Sequence, residues 1–356
     1  MWIVILIVLI VGLAAVLLKV VGKRPGAAAE LPSERPDAAA DTLQSDAIAY
    51  TNQTIEEAVA RCFRLAFDGQ RFDYQIVGEH AAVLASVARA LDESVHERDY
   101  FPRRPMLLPK LLQAINDDES TRQELVRLIM EDPTLAGAVL QRANSAYHRV
   151  TPEPVESLDR AVFMLGTDGL RGLMAAAILQ PVFRTPAGYF ENFAGITWEQ
   201  GERTANAAEA CAKANADAEP IVAGLLGLIS LLANIVLFRL TMDKYRDYPT
   251  LLPRAEVFIQ AIRQQRACMA SLIAQAWKLS DVSIAAFTEQ QQQLSPARMS
   301  SLGRCVYFGD LCGVLSMLAV RSSLANDRAM ALLIEQGADR EAARAMWTAA
   351  TANKQD

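Results

Sequence analysis

Residues 221–240 read IVAGLLGLISLLANIVLFRL and form one of two long apolar stretches in the chain. The stretch is long enough for a helix that crosses the hydrocarbon core of a bilayer, which is about 30 Å thick. The same pattern is typical of a helix that is buried on all sides in a helical domain. Ser230 and Asn234 lie in its middle, where polar side chains that face lipid are costly. Two structures therefore remain open at this point, and the neighbouring sequence decides between them.

The composition favours a helical protein. The chain of 356 residues is 52% hydrophobic but only 7% aromatic, and no run alternates with the period of two that is typical of strands. The formal net charge of −6 argues against a general affinity for nucleic acid, so no nucleic-acid partner is expected. The five cysteines form no C-x-x-C pair, and we expect buried, reduced thiols.

The second apolar stretch, WIVILIVLIVGLAAVLL, begins at the second residue and predicts a transmembrane anchor at 1–22. Lys19, Lys23 and Arg24 follow the stretch, and no basic residue precedes it. The positive-inside rule then places the N-terminus outside and the rest of the chain in the cytoplasm, as in a single-pass protein of the bacterial inner membrane. A cleaved signal peptide is the alternative. Residues 23–50 are rich in proline, alanine and charge, which is typical of a flexible linker.

Residues 51–100 predict a helical spacer. Thr54 and Glu57 have the spacing of a capping box at the start of a first helix. Val83, Leu84, Val87 and Leu91 form the apolar stripe of a second one. The sequence leaves open whether these helices separate the anchor from the next domain or form a small hairpin.

Recurring motifs in residues 101–292 resemble those of the HDOD domain family. An opening Leu-Pro precedes LLQAI, an Asp-Pro precedes a helix, an Asn-Ser-Ala ends a helix, and an alanine leads to Leu-Gly in the next one. In this chain they are Leu108-Pro109, Asp132-Pro133, Asn144-Ser145-Ala146 and Ala161 with Leu165-Gly166. The resemblance implies an all-α, HD-like helical bundle, and the single transmembrane helix predicted at 1–22 would precede it. It also implies a relative of HD phosphohydrolases that serves as a non-catalytic signalling module.

The resemblance favours a buried helix at 221–240, because a membrane span there would divide the domain in two. A second span is the alternative. In HD phosphohydrolases this helix carries adjacent His and Asp residues that bind metal, and the corresponding positions here are Gly227 and Leu228. Gln200 lies near the place of another histidine of those relatives. Glycine and leucine have no side-chain ligand for a metal. We therefore expect no catalytic residue, no metal and no cofactor.

Two further predictions concern surfaces. Asn144 and Ser145 end a helix, where capping of the backbone is the simple interpretation and a binding surface is the functional one. Residues 293–356 predict a C-terminal helical segment, which either completes the bundle or presents a surface to a partner.

The function expected from the sequence is a membrane-anchored, catalytically inactive signalling module. Its partners would be the lipid bilayer, through residues 1–22, and a protein of unknown identity. A nucleotide ligand is conceivable only through kinship with phosphohydrolases. The alternative is an enzyme, namely a divergent metal-dependent phosphohydrolase with displaced ligands.

Overall fold

The computed structural model describes residues 54–67, 75–92, 101–106, 108–110, 122–130, 133–144, 157–215 and 218–352, together with positions 72, 113, 154 and 155. These residues all belong to a compact unit that covers Ala49–Asp356. Within the described ranges the regular structure is helical, as the composition predicts. The predicted anchor at 1–22 and the linker at 23–50 lie outside the described residues, so both stay predictions.

Twelve α-helices are described, and they are numbered here in chain order. They are α1 (Ile55–Ala66), α2 (Glu79–Asp92), α3 (Arg122–Met130), α4 (Pro133–Ala143), α5 (Leu158–Leu179), α6 (Asn192–Asn215), α7 (Pro220–Tyr245), α8 (Ala255–Ala276), α9 (Asp281–Gln291), α10 (Ser301–Ala319), α11 (Asn326–Glu335) and α12 (Arg340–Thr351). Short 3-10 turns follow α5 at Gln180–Val182 and α9 at Pro296–Arg298.

Several helix boundaries follow the polar residues that the sequence offers. The Thr54 hydroxyl accepts a hydrogen bond from the Glu57 amide at 3.3 Å, and the Glu57 carboxylate accepts one from the Thr54 amide at 3.0 Å. This is the predicted capping box, which satisfies two backbone donors at the start of α1. Pro133 opens α4, and Asp339 caps α12 by accepting from the Glu341 and Ala342 amides.

Helix α7 contains the stretch 221–240 and lies in the centre of the bundle. It packs against α6, α8 and α10, and its residues from Leu225 to Leu237 are all buried. Two described helices, Pro220–Tyr245 and Ser301–Ala319, are long and apolar enough to cross a bilayer. However, 94% of the most apolar part of the first and 78% of that of the second are buried inside the bundle. A core helix passes the same test of length and composition, and the burial favours that interpretation for α7.

The helices on either side of residues 101–292 share this core. Helix α1 packs against α6 and α10, and α2 packs against α7 and α8. At the other end of the chain, α10 and α12 both pack against α6. The described part of residues 293–356 therefore completes the bundle around α6.

Candidate functional site

A cavity of about 200 Å³ lies among α1, α6, α7, α8 and α10. One part of its lining is apolar and the other carries hydrogen-bonding or charged groups. The lining residues are Val59, Cys62, Phe63, Ala66, Phe193, Ile196, Thr197, Gln200, Asn234, Ile262, Arg263, Arg266, Asp310 and Val314. We refer to this space as the central cavity. Because five helices contribute to it, its shape depends on the packing of the whole bundle.

A second depression has a different character. Its lining residues run from Asp281 to Gln292 and all come from α9 and the residue that ends it. A groove along one helix holds no group from a second element that would fix a ligand. The central cavity is therefore the stronger candidate for a binding site.

Gln200 and Cys62 form a polar contact in the central cavity. Gln200 is 8% exposed, and its side-chain oxygen accepts a hydrogen bond from the Cys62 thiol at 3.5 Å. Burial, followed by the negative charge of Asp310, raises the pKa of the Cys62 thiol to about 12. The thiol is therefore protonated at neutral pH. It can donate the hydrogen bond, and it is a poor nucleophile, because the thiolate is the reactive form.

Asn234 has an unusual position on α7. It is 4% exposed and lies between long apolar segments of the most buried helix. Its Oδ1 atom is buried without a hydrogen-bond partner among the described residues. An unpaired buried polar atom costs about 1–3 kcal/mol, so native structures seldom keep one without a reason.

A charged pair borders the cavity on the side of α8 and α10. Arg266 Nη1 donates to Asp310 Oδ1 at 3.0 Å, and Arg266 Nη2 donates to Asp310 Oδ2. This two-bond geometry is the strong form of an arginine–carboxylate pair. Since both carboxylate oxygens accept from the same guanidinium, Asp310 contributes little net charge to the cavity. Arg263 also lines the cavity and is exposed, so it marks a side that is open to solvent.

Glu199, next to Gln200 on α6, joins α6 to the end of α10. Arg321 donates to Glu199 at 2.7 Å, and Arg203 forms a second ion pair with it at 3.1 Å. Partial burial alone would raise the pKa of Glu199, but the hydrogen bond and charge of Arg321, helped by Arg203, outweigh it. The pKa of Glu199 therefore lies below its ordinary value.

The three positions that the resemblance relates to the HD metal site have different places in the structure. Gln200 lines the cavity, as described above. Gly227 packs against α6, where a Cβ atom added to it would lie 3.1 Å from Ala205 Cα and 3.2 Å from Thr204 Cγ2. Leu228 is 1% exposed and packs near Gly201 of α6. Gly227 and Leu228 are thus packing residues, and neither belongs to the cavity lining.

The chemistry of the lining does not suit a catalytic metal. Of the residue types that bind transition metals, it offers one thiol, Cys62, and one carboxylate, Asp310. Both oxygens of the carboxylate already accept from Arg266. Across the described ranges, no group of three or more His, Cys, Asp or Glu side chains is placed to hold an ion. A protein metal site needs at least three such donors in most cases.

The Asn144 side chain forms hydrogen bonds with backbone groups. Its Nδ2 donates to the carbonyls of Leu140 at 2.9 Å and Val155 at 2.8 Å, while its Oδ1 accepts from the Val155 amide at 2.7 Å. These bonds match the capping interpretation, and they fasten the end of α4 to the segment before α5. Ser145 lies outside the described residues, and a binding surface at Asn144 and Ser145 stays a prediction.

Most polar groups of the cavity are missing from the sequence-based prediction. The sequence draws attention to Asn234 only as an obstacle to a membrane span. A single amide side chain in the centre of a mainly apolar helix was the available signal for a polar group with a role in the core. No such signal exists for Arg266 and Asp310, because they are 44 residues apart and meet only in the fold.

Comparison with a family model identifies the class of this all-helical domain. The model of the HDOD domain matches residues 101–293. Since the match covers more than half of the chain, this protein belongs to the HDOD family. Comparison with curated proteins gives no match.

Solved structures show the same fold at low identity. An HDOD domain protein of unknown function from Geobacter sulfurreducens is 16% identical, with a TM-score of 0.51 over 77% of this chain and 89% of its own. A Shewanella amazonensis protein, provisionally described as a metal-dependent phosphohydrolase, is 12% identical, with a TM-score of 0.51 over 77% of this chain and 100% of its own. A Marinobacter aquaeolei protein, provisionally described as a signal transduction protein, is 19% identical, with a TM-score of 0.51 over 79% of this chain and 65% of its own. At such identities the likeness concerns the fold alone.

Proposed function

We propose that this protein is a membrane-tethered, catalytically silent signalling module that acts by binding a protein partner or a small ligand. One observation supports the proposal: Gly227 and Leu228, the positions that we expect to correspond to the metal-binding dyad, are both packed against α6. Gly227 lies against the backbone of Ala205, so a histidine at that position would require α6 to shift, and Leu228 has no donor atom.

The protonation and pairing of the other side chains support the same conclusion. The Asp310 carboxylate is engaged by Arg266, which leaves it poorly placed as a general base. The pKa of Cys62, about 12, leaves almost no thiolate at neutral pH. Neither group is prepared for hydrolysis.

Metal analysis combined with a hydrolysis assay tests catalytic silence. The full-length protein, purified in detergent, should contain no stoichiometric Fe, Mn, Zn or Mg. It should not hydrolyse phosphate monoesters, nucleotides or cyclic dinucleotides when Mn²⁺ or Fe²⁺ is supplied. One equivalent of bound metal together with metal-dependent turnover would support the alternative of a divergent phosphohydrolase.

The membrane tether rests on the sequence of residues 1–22 and is tested separately. A reporter that works only in the cytoplasm should be active when fused after the last residue, and one that needs the periplasm should be silent. Deletion of 1–47 should release the protein into the soluble fraction. The reverse reporter pattern, or a deletion variant that stays in the membrane, would contradict a single span with the N-terminus outside.

A further inference from the structure

The central cavity has the size of a small organic molecule. An engineered cavity of about 150 Å³ binds benzene, so the volume found here suits roughly eight to ten non-hydrogen atoms. Pockets that enclose drug-sized ligands are about 300–1,000 Å³. At about 200 Å³ the central cavity falls below that range, and it is too small to enclose a whole nucleotide.

Its polar groups offer both hydrogen-bond donors and acceptors to a ligand. Asn234 Oδ1 is buried and unpaired within the described part of the chain. Gln200 uses its oxygen to accept from Cys62 and has its amide nitrogen left to donate. Thr197, 3% exposed, adds a hydroxyl one helical turn before Gln200. Amide groups offer a donor and an acceptor side by side, and rotation by 180° exchanges the two.

The groups that would touch a ligand are mainly uncharged. Asp310 is neutralised by Arg266, and Cys62, Gln200, Asn234 and Thr197 are neutral. The exposed Arg263 is the remaining charge of the lining. Burial of a ligand charge in such surroundings would be costly without a counter-ion of its own. The lining thus favours an uncharged ligand.

Two aromatic rings also belong to the lining. Phe63 of α1 and Phe193 of α6 both line the cavity. The Phe193 ring stacks on Phe238 of α7 with a centroid distance of 4.7 Å, which limits its movement. A flat ligand face packs well against such rings, while its edge meets the amides.

We propose that the central cavity binds an uncharged, planar heterocycle of about eight to ten non-hydrogen atoms, whose edge carries both a hydrogen-bond donor and an acceptor. A free nucleobase or a carboxamide-bearing ring has this chemistry. The bound edge pairs with the amides of Asn234 and Gln200, and the ring face packs on Phe63 and Phe193. This inference rests on the proposed function, because it identifies the ligand of a binding module.

Ligand-detected NMR on the full-length protein in detergent tests the inference. The probes are uracil, thymine, adenine and nicotinamide, with uridine monophosphate and toluene as matched comparisons. At least one of the four heterocycles should bind, and uridine monophosphate and toluene should bind at least tenfold more weakly. Failure of all four to bind, tighter binding of the nucleotide, or equal binding of toluene would overturn the proposal.

Two variants locate the binding site. Asn234→Leu keeps the volume of the side chain but removes its amide, and Gln200→Leu does the same on α6. Each should weaken binding of the heterocycle at least tenfold, which corresponds to about 1.4 kcal/mol. Ser230→Ala, one turn away on α7 and outside the cavity lining, is the matched control and should bind like the unchanged protein. Unweakened binding in a folded Asn234→Leu or Gln200→Leu variant would place the ligand elsewhere.

The outcome separates this inference from the proposed function. If no heterocycle binds while the protein also lacks metal and hydrolysis, the ligand class is wrong and the silent module stands. If the protein binds metal and hydrolyses a phosphate ester, the proposed function itself falls.

Discussion

The α6–α7 interface is closed at one end and open at the other. At Gly227 the two helices approach so closely that an added Cβ atom would lie 3.1 Å from a backbone atom of Ala205. Two helical turns further along α7, Asn234 faces the central cavity, which Thr197 and Gln200 of α6 also line. Gly227 and Asn234 are seven residues apart and share one face of α7. A single helix face thus serves tight packing at one point and a potential binding site at another.

Helix α10 shows the same contrast between a closely packed residue and a polar residue that lines the cavity. A Cβ atom added to Gly309 of α10 would lie 2.7 Å from Ala208 Cβ and 2.9 Å from the Thr204 carbonyl oxygen. The adjacent residue, Asp310, points to the cavity side and pairs with Arg266. The glycines therefore determine how closely the helices pack, while the polar residues beside them line the space that remains.

The greatest loss of stability is expected from a side chain added at Gly309, where α10 packs against α6. Gly309→Leu should overpack the contact with Thr204 and Ala208 and lower the free energy of unfolding by about 3 kcal/mol or more. Chemical denaturation monitored by circular dichroism measures the change. Gly137→Leu is the control, because among the described residues no atom beyond its own helix backbone and chain neighbours lies within 4 Å of a Cβ added at Gly137. If the two variants are equally stable, α10 does not approach α6 as described.

Two alanine substitutions on α7 test how closely α7 approaches α6 at Gly224 and at Gly227. Alanine gains up to about 1 kcal/mol of helix propensity over glycine, so it stabilises where space is available. At Gly224 the nearest atom to an added Cβ is the Ala205 carbonyl oxygen at 3.4 Å, which is an ordinary contact distance. At Gly227 the nearest atom is Ala205 Cα, and its distance of 3.1 Å is shorter than an ordinary contact. We expect Gly224→Ala to raise the melting temperature and Gly227→Ala to leave it unchanged or lower it. The reverse order would contradict a closed interface at Gly227.

A pH-dependent effect is expected beside the open end, at Glu199. Its folded pKa lies below the ordinary value, so the ionised carboxylate stabilises the folded state. That contribution is complete above the unfolded pKa, at about 4.3 for glutamate, and is lost as the pH falls through the folded pKa. Glu199→Gln should therefore lower the melting temperature at pH 7, and the difference from the unchanged protein should shrink below about pH 4. A difference that is independent of pH would show that the ion pairs with Arg321 and Arg203 are not its source.

Much of the fold can be predicted from the sequence, because local signals determine it. The capping box at Thr54 and Glu57, the first-turn Pro133 and the cap at Asp339 all mark helix starts that the structure contains. The apolar stretch 221–240 is compatible with two environments, and the motifs around it correctly favour the buried one. HDOD membership is confirmed by the family match at residues 101–293.

The candidate site could be predicted only in part. Gln200 is one of its polar groups, but the sequence points to Gln200 for another reason, namely its expected position in a degenerate metal site. The cavity itself depends on how α1 and α8 pack over the α6–α7 interface, and such contacts between distant residues leave no local pattern. Cys62 and Gln200, for example, meet across 138 residues of chain.

The most direct test of the open and closed interface introduces the same residue at both ends. Gly227→Leu forces a side chain into occupied space, and we expect the free energy of unfolding to fall by about 1–3 kcal/mol. Asn234→Leu removes a buried, unpaired polar atom beside existing space, and we expect the free energy of unfolding to rise by about 1 kcal/mol in the absence of ligand. Both values are to be measured by denaturant titration of the full-length protein under identical conditions. Opposite signs are the predicted result, and equal losses of stability in the two variants would contradict the account.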